Sequence, residues 1–145
     1  MAVQSTSHPT GSRPRIARAL HVVLRLLALL VFAQAVFAGL FLDGNAAWRQ
    51  WHAINGMLVI PLLALLVVVL AVVLWRSGGP GWMALAGLAL LLAIIVQNAM
   101  GQGGQVAVHV PLGVAILGLV GALLGRTRNL ARASTDPSTP SGKLR

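Results

Sequence analysis

Residues 53–75 read AINGMLVIPLLALLVVVLAVVLW, with no charged side chain in the run. That is longer than an ordinary core helix needs. About 20 apolar residues carry an α-helix across the hydrocarbon layer of a bilayer. Three further stretches share the character: 20–42 before it, 81–100 and 106–124 after it. The intervening segments 43–51, 76–80 and 101–105 are short, and short connections force antiparallel neighbours. The expected fold is therefore all-α: an integral membrane four-helix bundle with up-down-up-down topology, occupying residues 15–126. The polar Ser-, Thr- and Pro-bearing segments 1–14 and 127–145 read as disordered tails, the second of them basic.

Charge placement orients the bundle. The chain has 145 residues, 57% hydrophobic and only 9% charged, with a net charge of +9. Arg13, Arg15, Arg18 and Arg25 precede or open the first span, Arg76 lies between the second and third, and Arg126, Arg128, Arg132, Lys143 and Arg145 follow the fourth. With alternating helices all of these fall on one side, and only Arg49 falls on the other. That asymmetry is the positive-inside signature and puts both termini in the cytoplasm. Trp48 and Trp51 mark one interface and Trp75 and Trp82 the other, where indoles favour the headgroup layer. Cations split between tails and a short loop do not make a nucleic-acid surface, so the partner is the lipid bilayer rather than DNA or RNA. Without cysteine there is no disulfide, thiolate site or redox dithiol. The Ala-, Leu-, Val- and Arg-rich usage points to a bacterial cell (inner) membrane.

Polar side chains within spans carry the functional signal, because they are expensive in lipid. Here they are Gln34, His52, Asn55, Gln97, Asn98 and His109, all toward the outer half. They form a repeat. Gln34-Ala-Val-Phe-Ala-Gly39 closes the first span and His52-Ala-Ile-Asn-Gly56 opens the second. Gln97-Asn-Ala-Met-Gly101 closes the third and His109-Val-Pro-Leu-Gly113 opens the fourth. Two pseudo-repeated helical hairpins follow from this pattern. His52 and His109 sit near the outer ends of helices running in the same direction, hence at similar depth, and each has a glycine one turn deeper on the same face. An imidazole is a metal ligand, and a glycine beside it leaves room for a flat macrocycle. Two such faces are expected to clamp one haem b through both axial positions. In this reading the cofactor site is His52, His109, Gly56 and Gly113, with Gln34 and Gln97 supporting the imidazoles and Arg49 pairing with a propionate. Two filled axial positions favour electron transfer to a membrane redox partner over oxygen chemistry. The plainer roles compete: interfacial histidines, interhelical glutamines and asparagines, and a solvated Arg49. Pro61 and Pro111 read as kinks.

The same four segments resemble one four-helix half of the heme A synthase family, and the layout of small uncharacterised four-span bacterial membrane proteins. The resemblance covers about residues 20–125 and implies that His52 and His109 ligate haem in a respiratory membrane. Only one half-bundle is present, Ala53 stands where the family has Arg after the histidine, and no cysteine pair occurs. It therefore implies a stand-alone b-type haem protein and not haem A synthesis. Two other readings remain beside it. One is a haem-free structural or accessory membrane subunit or homo-oligomer, motivated by recurring small residues such as Gly113, Gly118 and Gly121. The other is a small transporter, weakened by the absence of Glu and by Asp43 being the only acid near the membrane.

Overall fold

The computed structural model describes residues 12–133. Five α-helices and one π-helical turn build four spans: α1 (Arg13–Leu42), α2 (Ala47–Ile54) running through a π-turn (Asn55–Val59) into α3 (Ile60–Arg76), α4 (Trp82–Gln102) and α5 (Val106–Ala133). All four spans are long and apolar enough to cross a membrane. They form an up-down-up-down ring in which α1 packs on α3 and α5, and α4 packs on the same two. The protein is a multi-pass membrane four-helix bundle. Its three connections each turn on a glycine in the left-handed region, Gly44, Gly78 and Gly104, where a Cβ would clash with the backbone.

The spans outrun their apolar stretches. α1 opens at Arg13 with Pro14 in its first turn, a position that needs no backbone N–H. Residues 13–14, read from sequence as tail, are thus helical. At the other end α5 continues to Ala133, so residues 127–133 are helical as well. The reason is tertiary. Thr127 is fully buried, and the His21 ring N–H donates from Nδ1 to its Oγ1 at 2.9 Å. The single Thr127 hydroxyl proton is within reach of the carbonyls of Leu123 and Leu124, each 3.1 Å away, and with the proton turned to them Oγ1 accepts from His21. Residues 1–11 and 134–145 lie outside the described residues.

The end carrying both described termini, here called the arginine end, holds the core. Leu20, Leu24, Leu27, Ala64, Val67, Leu74, Met83, Leu90, Val120 and Leu123 are buried there without a cavity-lining polar group among them. At the histidine end, the opposite pole, no residue is buried in the first two turns of any span, and burial begins at Asn55, Gly56 and Ile94. Trp51, Trp75 and Trp82 stay exposed, and Trp48 stacks on Phe37 with ring centres 5.4 Å apart.

Pro61 explains the π-turn. Lacking an N–H, it can serve no carbonyl one turn back, and in strict α register its ring would strike one. The chain widens instead: Ile60 N–H reaches back five residues to the carbonyl of Asn55. A helix wall widened by one residue turns His52, Asn55 and Gly56 to a different azimuth from the α3 core face. Pro111 sits near the start of α5, where it leaves the helix continuous.

Candidate functional site

In the first hairpin, the carbonyl of Gln34 accepts from His52 Nδ1 at 3.1 Å. A carbonyl only accepts, so Nδ1 carries the proton and Nε2 keeps its lone pair. In the second hairpin, His109 Nδ1 donates to the carbonyl of Gln97 at 2.9 Å, with the same consequence. The Gln…His repeat read in the sequence is therefore one bonding unit used twice. The two rings meet edge-on between the hairpins, ring centres 6.5 Å apart and planes at 61°.

The glycines border the space at the histidine pair, and each also gives room to a neighbouring side chain. A Cβ on Gly56 would run into the Gln34 amide nitrogen, and one on Gly113 would stand 3.0 Å from that of Gln97. Each glycine admits the glutamine of its own hairpin. The glycine that admits an imidazole is Gly101: a Cβ there would lie 2.8 Å from His109 Cε1. On the other side, Phe41 packs edge-on against His52, with centres 5.4 Å apart.

Beyond this shared unit the hairpins differ. The Gln34 amide is bonded at both ends: Nε2 donates to the carbonyl of His52 and Oε1 accepts from Asn55 Nδ2, both at 2.9 Å. Asn55 Nδ2 also reaches the carbonyl of Leu30 at 2.9 Å. Leu112 stands three residues after His109, where Asn55 stands after His52. Gln97 Oε1 consequently has no donor and is buried without a partner. Asn98 joins the hairpins, donating from Nδ2 to the carbonyl of Gly56 at 2.8 Å. That carbonyl lies five residues before Pro61, so the π register would pair it with the N–H that proline lacks.

Two cavities adjoin at the histidine pair, both walled by Gln34, His52, Gly56, Asn98 and His109. The deeper one, about 340 Å³, adds Gln97 and is otherwise apolar, with Val31, Ile60, Ile94, Gly113 and Leu117 in its wall. The shallower, about 670 Å³, reaches Gly44, Arg49, Gly101 and Gln102. Every site residue expected from the sequence thus borders this space, Arg49 at its mouth. The sequence reading did not assign Phe41, Gly101 or Asn98 a place in the wall. Gly101 carried a usable signal, standing one helical turn after Gln97, but which histidine it would face depends on how α4 and α5 rotate against each other. Among the described residues no group of three or more His, Cys, Asp or Glu side chains gathers. No protein family, no curated protein and no solved structure matches the chain.

Proposed function

We propose that this protein binds one b-type haem between His52 and His109 and passes electrons within the membrane. The observation that carries the reading is the pair of Nε2 lone pairs, each fixed by a main-chain carbonyl on Nδ1, on rings 6.5 Å apart. Two imidazole nitrogens about 2 Å from one metal put their ring centres roughly 6 Å apart. An Nδ1–H bond to a backbone carbonyl is the usual second partner of a metal-bound histidine. With only two protein ligands in reach, a metal held here takes its remaining ligands from a non-protein group, which suits a macrocycle. The apolar depth and the Arg49-bearing mouth fit a ring with a greasy edge and two carboxylates. Haem held by His52 and His109 would supply one-electron chemistry.

The chain's own residues do the holding. Gln34 and Gln97 orient the imidazoles through their carbonyls, Gly101 and Phe41 fix the ring positions, and the aliphatic arginine half keeps water from the inner side. The one-sided arginines support a histidine end on the outer side of a bacterial cell membrane, with both termini cytoplasmic. Protein purified from haem-replete cells is expected to give a reduced-minus-oxidised haem spectrum that is absent in His52→Ala and in His109→Ala. A colourless wild-type preparation defeats the proposal.

A second reading, a haem-free accessory subunit, draws on Gly118, Gly121 and Gly125 of α5, which are exposed and have no atoms within 4 Å of a built Cβ. Close helix approach in lipid uses such residues. Cysteine crosslinking from these positions, in a chain that has no native cysteine, would capture a neighbour if that reading holds.

A further inference from the structure

The arginine end carries a second arrangement that the haem reading does not use. His21 of α1 reaches across to the buried Thr127 of α5 and pins the two helices together there. Arg18 and Arg25 stand three residues before and four after His21, on the same flank of α1. Arg25 and Arg128 are close enough to His21 for their charges to act on it. All three guanidiniums are exposed. Among the described residues the only carboxylate is Asp43, at the opposite pole of the bundle. Arg25 from α1 and Arg128 from α5 thus flank the His21–Thr127 seam, Arg18 shares the α1 flank, and among the described residues no acid lies at this end to balance them. Guanidiniums recognise phosphate oxygens through paired N–H donors.

We propose that the α1–α5 seam at Arg18, Arg25 and Arg128 is a binding site for the phosphate of an anionic phospholipid headgroup. The His21–Thr127 bond sets the spacing of the two helices, and the arginines close on the phosphate from both sides. The lipid's chains then run down the exposed α1 and α5 surface, past Val22, Leu26 and Leu29. This site is independent of haem and stands or falls separately.

The test uses the full chain in detergent, titrated with phosphatidylglycerol or phosphatidylcholine and read by native mass spectrometry and thermal unfolding. Wild type is expected to retain phosphatidylglycerol in preference to phosphatidylcholine. Each juxtamembrane cation contributes about 1 kcal/mol to anionic lipid attraction, so Arg25→Gln/Arg128→Gln should weaken retention by about 30-fold. Arg25→Lys/Arg128→Lys should recover much of the loss. The charge-matched control Arg76→Gln/Arg126→Gln, away from His21, should change it less than about threefold. An equal loss in the control pair would show diffuse attraction and overturn the site. So would equal retention of both lipids, or an equal thermal shift from inorganic phosphate alone.

Discussion

The two halves of this bundle solve opposite problems with the same four helices. In the arginine half, large aliphatic side chains from all four spans close on one another. In the histidine half, small residues, amides and imidazoles hold the helices by hydrogen bonds around adjoining cavities. Lipid tails are as apolar as leucine, so packing in one half and polar bonds in the other must each replace the water-driven force that soluble bundles enjoy. The difference teaches where stability and function reside: the packed half fixes the helix spacing that the open half exploits.

Substitutions should separate the halves. The largest effect is expected at the packed pole. Leu24→Ala removes a side chain 1% exposed and should lower stability by about 3 kcal/mol, seen as a drop in thermal midpoint in detergent, while leaving the imidazole pair intact. A small loss there would break the comparison. Next comes Gly56→Ala, whose methyl group displaces a Gln34 amide already held at both ends. We expect about 2 kcal/mol lost, against less than about 1 kcal/mol for Gly113→Ala, where the unpaired Gln97 amide can yield. Equal losses would show the hairpins to be equivalent after all. Thr127→Val leaves His21 Nδ1 without its acceptor and should cost about 1 kcal/mol, measured by the same unfolding. The smallest effect is expected for Gln97→Leu: its side-chain oxygen has no donor, so the apoprotein should change by less than about 0.5 kcal/mol or gain stability. Gln34→Leu should cost about 1 kcal/mol, because it removes the donor to the His52 carbonyl and one of the two acceptors of Asn55 Nδ2.

Hydropathy made the four spans and their alternation readable, and the spacing of Gln, His and Gly placed two imidazoles at one depth. Those features depend on helical geometry alone. What stayed hidden depends on how helices turn against one another. Gln34 and Gln97 serve the histidines through main-chain carbonyls, which side-chain chemistry does not advertise. Gly56 and Gly113 border the cavity, but that each also makes room for a neighbour's amide could not be read from their spacing. Thr127, in a segment polar enough to resemble a tail, is buried because His21 happens to face it. Pro61 announced a distortion, yet its relief by a wider turn and by Asn98 of another hairpin required the assembled bundle.

Each imidazole takes its bond from the helix immediately before it in the chain. Half of the paired arrangement is therefore complete within a single helix–loop–helix, before the other half has been synthesised. A nascent first hairpin can enter the bilayer with His52 already aimed, and the second can follow with His109 likewise set. Maturation then reduces to two preassembled clasps meeting, and a ligand that bridges them would act as the latch.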